Sequence, residues 1–243
     1  MRTVGVDLAV QPKKTGIAWI EWSDDGQGSA TFATGAGDDA ILTALRDPDI
    51  EVIGFDVPLG WPDRFVDMLV AHHDQKTIGV RAWPELYEAA RLRTTDHWIH
   101  DVCGANPMSV SANMIGATAM RAAWLLSQAQ EAGVAIDRSG MTGKVVEVYP
   151  GAALRRWGLS PAGYKSGDAV AAHLQQLFTA LTRGTRMTLA SAVSNDHELD
   201  ALVCAVVARM ARTGLTHDIP AEHRDVARRE GWIHLPVRPL AID

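Results

Sequence analysis

Apolar residues open the chain in three short runs that read as β-strands: TVGVDLAV from Thr3, TGIAWIEW over residues 15–22, and SATFATG over residues 29–35. The stretch SDDGQG between the second and third is rich in turn formers, so the three runs predict consecutive hairpins. The pattern then changes period. In DAILTALRD, Ile41, Leu42 and Leu45 form one apolar side of a short helix, with Asp38 or Asp39 available as its cap. An apolar strand follows in EVIGFDVPLGWP, residues 51–62, and Pro58 breaks its pairing. A strand, helix, strand unit places the first and fourth strands parallel in one sheet, joined by a right-handed crossover.

Regularity is lost over residues 61–107, where Trp, His and Arg are scattered among two short helical stretches; this segment reads as an insertion. An Ala-rich helix is predicted over residues 111–132, closed by Gly133. KVVEVYP, residues 144–150, is the fifth strand, and two helical segments surround GLSPAGYKSGD. SNDHELDALVCAVVARMARTG is the last clear helix, with Gly214 as its stop, and EGWIHLP in the tail reads as an edge strand. The expected class is therefore α/β, a mixed five-stranded sheet of three antiparallel strands followed by parallel ones, flanked by helices. One domain spans residues 1–243, with the insertion at about 61–107.

Composition narrows the functional classes. A chain of 243 residues with 47% hydrophobic side chains can bury a proper core. No apolar run approaches the roughly 20 residues that span a bilayer, and the N-terminus is unlike a signal peptide, so the expectation is a cytoplasmic protein with no membrane partner. Cys103 and Cys204 form no CxxC pair, which argues against a zinc site or a disulfide framework. The net charge of −6 counts against a general polyanion binder, since such binding rests on phosphate neutralisation. Any nucleic-acid contact must be local.

The unusual feature is acidic. Asp7 and Asp56 each end an apolar strand, where an unpaired buried carboxylate is expensive. Each has a glycine two positions earlier, Gly5 and Gly54, so each strand carries a bare patch on the face of its carboxylate. That patch suits either close approach of a ligand backbone or sheet–helix packing. In the last helix, Leu199, Leu202, Val203, Val206, Val207 and Met210 form an apolar stripe. By helical phase Asp196 falls within the stripe and Asp200 on its margin, Glu198 lies on the opposite margin, and His197 points further outward. Asp196 suits capping as well, and Asn195 with Glu198 resembles a capping box; Asp200 lies a turn further in, where capping cannot explain it, and either looks towards the sheet or is a solvated residue on the margin.

Other residues carry weaker signals. Arg155, Arg156 and Lys165 around Trp157 and Tyr164 form the best basic and aromatic patch, suited to phosphate and base stacking, or simply a solvated helix face. Glu147 is a plausible fourth acid or the partner of Lys144 or a nearby Arg. No pair of histidines has the spacing of a metal-binding helix, TGAGDD is not a full phosphate loop, and no Gly-x-Ser-x-Gly elbow occurs.

The order of elements, with Asp on the first strand, the fourth strand and the last helix, resembles the ribonuclease H-like fold. Within it, GVDLA…TGIAW, GFDVPLGWP, RTTD, EVYPGAALRRWGL…YK and HELDALVCA resemble the DUF 429 family of predicted nucleases across nearly the whole chain. The DAL of the last helix, Asp200 to Leu202, is similar to a pattern of Holliday-junction resolvases. The resemblance implies a metal-dependent nuclease acting on RNA or DNA, with Asp7, Asp56, Asp200 and Glu147 as catalytic acids. Asp7, Asp56, Asp196 and Asp200 would be ligands of Mg²⁺ or Mn²⁺, which hard oxygen donors suit. Arg93 and Asp96 of the RTTD motif would line the substrate site from the insertion, with Arg155, Arg156 and Lys165; a helix terminus capped by Thr or Asp is the alternative for that motif. A homodimer is compatible with these features. Two other readings stay open: a non-catalytic binding or regulatory protein that keeps the fold, and a sugar-kinase or actin-like phosphotransferase. The latter lacks the glycine expected shortly after its first Asp, since DLAV stands there.

Overall fold

The computed structural model describes residues 1–165, 170–189, 192–237 and 239–240. Its elements run β1 (Arg2–Asp7), β2 (Gly16–Trp22), β3 (Gly28–Thr34), α1 (Asp38–Arg46), β4 (Ile50–Asp56), α2 (Asp63–His73), α3 (Trp83–Arg91), α4 (Thr94–Cys103), α5 (Ile115–Glu131), β5 (Val145–Glu147), α6 (Pro150–Arg156), α7 (Val170–Gly184), β6 (Met187–Leu189), α8 (Asp196–Arg212) and α9 (Arg224–Glu230). The hairpins form where the alternating runs predict them, β2 antiparallel to both β1 and β3, and β4 joins β1 in parallel. The strand order is β5-β4-β1-β2-β3-β6. The first five strands have the order and directions of the ribonuclease H-like fold.

The sheet has six strands where the sequence suggests five. The extra one, β6, is three residues long and pairs parallel with β3 at the edge. The tail does not form a full strand, but Ile233 bridges to Glu147 beside β5, with the His234 amide donating to the Glu147 carbonyl at 2.9 Å. Residues 61–107 hold three helices, α2 to α4, rather than two. Asp38 does not cap α1; Gly37 occupies that position, and Asp38 instead accepts from Arg121 at 2.7 and 2.9 Å.

Helices cover both faces. One core cluster joins sheet residues such as Val4, Val6, Ile53 and Phe55 to α1 and α5; the other joins Ala18, Ile20 and Val146 to α6, α7 and α8. Helix α8 lies across β1, β4 and β2. Glycine makes this approach close. A Cβ added at Gly16 would stand 2.1 Å from the His197 carbonyl oxygen, one at Gly5 1.9 Å from that of Ala201, and one at Gly54 2.3 Å from that of Cys204. The bare patches beside Asp7 and Asp56 are therefore the seat of α8, which settles the sheet–helix alternative for Gly5 and Gly54. From Glu198 to Ala208 every residue of α8 is buried. Among the described residues no helix is long and apolar enough to cross a membrane.

Candidate metal centre

Register brings the first two acids together. In the parallel pairing of β1 and β4, Asp7 stands directly opposite Asp56 just as Gly5 stands opposite Gly54. Both carboxylates share the face of their glycine, and hence the side on which α8 sits. Asp200, in the second turn of α8, completes the set: Asp7, Asp56 and Asp200 each offer a carboxylate oxygen, and these oxygens all lie within 4.8 Å of one another. Carboxylate oxygens gathered this closely need only a small inward shift to share one divalent ion.

The electrostatics point the same way. Burial, then the charges of Asp7 and Asp200, push the Asp56 carboxyl well above the usual carboxylate range. Burial likewise raises Asp200, against the pull of Lys165, to about 6. Asp200 is fully buried; its Oδ1 accepts from Tyr164 Oη at 2.6 Å. The Lys165 ammonium lies 2.5 Å from Oδ2, out of hydrogen-bonding alignment, and among the described residues this buried oxygen has no aligned donor. Three hard oxygen donors suit a hard divalent cation better than a softer metal.

Three further residues complete the surroundings, and sequence reasoning did not assign two of them to it. His197 does not point away: its Nδ1 lies 2.6 Å from Asp7 Oδ2, and this hydrogen bond raises the imidazole pKa despite partial burial. Tyr164 is buried and holds Asp200 rather than offering a stacking face. Lys165 was expected to meet substrate and instead pairs with Asp200, its side chain still 51% exposed.

Several expected site residues are placed elsewhere. Glu147 is not a fourth ligand. On β5 it pairs with Phe55, whose side chain belongs to the α1/α5 core, so Glu147 faces the side of the sheet away from the aspartates. There it accepts from Arg93 at 2.7 and 2.8 Å and from the Leu59 amide at 2.9 Å. Arg93 also donates to Asp96 at 2.8 Å and to the Glu230 carbonyl at 3.1 Å. At 1% exposure each, Arg93 and Asp96 cannot touch a substrate; the RTTD motif caps α4, with Asp96 accepting from the Arg93 amide at 2.9 Å. Asp196 is outside the carboxylate cluster and does not cap either, because Asn195 is the N-cap of α8 and accepts from the Glu198 amide. Glu198 turns to the Ser194 amide and hydroxyl. Arg156 is spent on the carbonyls of Pro236 and Val237, Trp157 is buried, and Arg155 stays exposed, so the basic and aromatic patch does not exist as a stacking surface.

A solved structure titled "Thermus thermophilus RuvC structure" matches at 15% identity and a TM-score of 0.41, covering 88% of this chain and 97% of that one. No curated protein sequence matches the chain. The family model described as "Protein of unknown function (DUF429)" matches residues 5–225, and the chain belongs to that family.

Proposed function

We propose that this protein is a metal-dependent nuclease that hydrolyses phosphodiester bonds. The observation that carries the reading is the convergence of Asp7, Asp56 and Asp200 from two adjacent strands and the covering helix. Three carboxylates crowded in low dielectric repel one another unless a cation joins them, and no structural economy is served by placing them so. A divalent ion at such a site polarises a phosphoryl oxygen and lowers the pKa of a bound water.

The chain's own residues would do the rest. Asp7 and Asp56 come from strand ends fixed by the sheet, so their spacing is rigid. Tyr164 orients Asp200 through Oδ1, and Oδ2, which has no hydrogen-bond partner among the described residues, would hold the ion. His197 holds Asp7 through Nδ1, and its remaining ring nitrogen is available to carry a proton at the margin of the cluster. Mg²⁺ and Mn²⁺ are the proposed ions and nucleic acid the proposed partner. With a net charge of −6, binding should be weak, sensitive to salt and better for single-stranded or shaped substrates than for plain duplex.

A cleavage panel tests the reading. Single-stranded, hybrid, duplex and branched substrates are incubated with either metal, beside an Asp200→Asn control. Cleavage by the wild type of at least one substrate, lost in the control, is the expected result. No cleavage of any substrate would remove the nuclease reading.

A further inference from the structure

The three acids have one ammonium among them. Among the described residues, Lys165 is the sole Lys or Arg that forms an ion pair with Asp7, Asp56 or Asp200. Its setting differs from that of the other strong ion pair nearby: Arg93 and its carboxylates are buried and hydrogen-bonded throughout, with side chains 2–3% exposed or less. Lys165 reaches a fully buried carboxylate from a half-exposed position, and at 2.5 Å it meets Oδ2 without hydrogen-bond alignment. Asp200 does not need the lysine for its orientation, because Tyr164 holds Oδ1. A lysine ammonium is a compact point charge on a flexible stem, and the half-exposed side chain of Lys165 has solvent to move into.

We propose that Lys165 is a resident counter-cation of the aspartate cluster, seated on Asp200 when no divalent ion is bound and displaced into solvent when one binds. The proposal rests on the metal-binding reading of the site. Both cations compete for the same oxygen, and binding of one must weaken the other by the same factor. In the metal-free protein Lys165 lowers the repulsion within the cluster. In the loaded protein its freed ammonium stands at the mouth of the site, where an anionic substrate would enter. The lysine thereby acts as a threshold for metal: it keeps the acids assembled, and sets how much divalent ion is needed to occupy them.

Two measurements test this. In the wild-type protein, Lys165 is labelled with an amine-acylating reagent across a Mn²⁺ titration and quantified by peptide mass spectrometry, with Lys76 as the internal reference. Labelling of Lys165 should rise several-fold over the range in which Mn²⁺ binds, while that of Lys76 stays constant. Unchanged Lys165 labelling through a titration in which Mn²⁺ binds would overturn the exchange. Second, calorimetry compares Mn²⁺ binding by the wild type, Lys165→Gln and Asp200→Asn, the last marking any ion bound elsewhere. Loss of a half-exposed competing ion pair should tighten binding in Lys165→Gln by about fivefold. Equal or weaker binding in that variant overturns the exchange and leaves the metal site standing. If neither the wild type nor Lys165→Gln binds Mn²⁺ at the cluster, the metal site itself is refuted and the exchange with it.

Discussion

At the scale of single residues, the site holds two acids, Asp56 and Asp200, whose charged forms are disfavoured by burial and by neighbouring carboxylates. Asp200 shows the consequence most directly. Its pKa rises from the ordinary 3.8 to about 6, so between these values the folded protein binds more protons than the unfolded chain. Stability of the metal-free protein from this group is therefore present below about pH 4 and lost as pH rises through about 6; the full effect is about 3 kcal/mol at most. Urea unfolding of the metal-free wild type and of Asp200→Asn between pH 4 and 7 checks the sign. The wild type should lose stability relative to the variant as pH rises, and a parallel or opposite trend would show that Asp200 is not raised. The residue scale is also where sequence reading had most reach and its clearest failure. Asp7, Asp56 and Asp200 were legible because an acid ending an apolar strand, or lying deep in an apolar helix, has few structural uses. His197 was not, because by helical phase it lies off the stripe of large apolar residues. Where α8 is buried all round, the side nearest the sheet is marked by the small residues Ala201, Cys204 and Ala205 over Gly5 and Gly54, and His197, one turn earlier, lies over Gly16 on the same side.

Among the elements, α4 and its buried Arg93 fasten the helices of residues 61–107 to the core. Arg93 links Asp96 of its own helix, Glu147 of β5 and the Glu230 carbonyl of α9, while Glu230 itself accepts from the amides of Asp63 and Thr94. Burial opposes the charge on Arg93, but Glu147 and Asp96 outweigh it and hold the guanidinium firmly protonated. Removing one partner of a buried ionic set leaves the others uncompensated, so Arg93→Met should cost about 3–5 kcal/mol. Arg93→Lys should recover little, since an ammonium cannot reproduce the forked contacts. Denaturant melts of both variants test this, and a loss below 1 kcal/mol in Arg93→Met would show that the network is dispensable. The RTTD and EVYP segments were visible as distinctive sequence, but their mutual pairing was not: it joins residues 54 positions apart, on the face of β5 that alternation alone could not choose. The edge strand β6 escaped for a different reason. Three residues at a sheet margin have too little periodicity to announce themselves.

For the molecule as a whole, the sheet order followed from the first five strands, because hairpins and a single crossover leave few topologies open. What that order achieves is a protein whose assembled state contains a cluster of like charges, and whose stability should therefore depend on divalent ions. A cation bound only by the folded protein adds about 2.7 kcal/mol at a hundredfold excess over its Kd. Thermal melts of the wild type with Mn²⁺ should shift upward accordingly. Asp7→Asn should be at least as stable as the wild type without metal, because one repelling charge is gone, and should lose most of the Mn²⁺ shift. If Asp7→Asn is strongly destabilised without metal, Asp7 serves the fold through His197 rather than a cation.

The central claim is that Asp7, Asp56 and Asp200 hold a divalent cation. Anomalous diffraction from crystals soaked in Mn²⁺ addresses it without reference to any substrate. The account predicts an anomalous peak between the three carboxylates, with oxygens of at least two of them at about 2.1–2.3 Å, within the range of hard-cation coordination. Crystals that take up Mn²⁺ elsewhere, with no peak at the cluster and Lys165 still seated on Asp200, would contradict it.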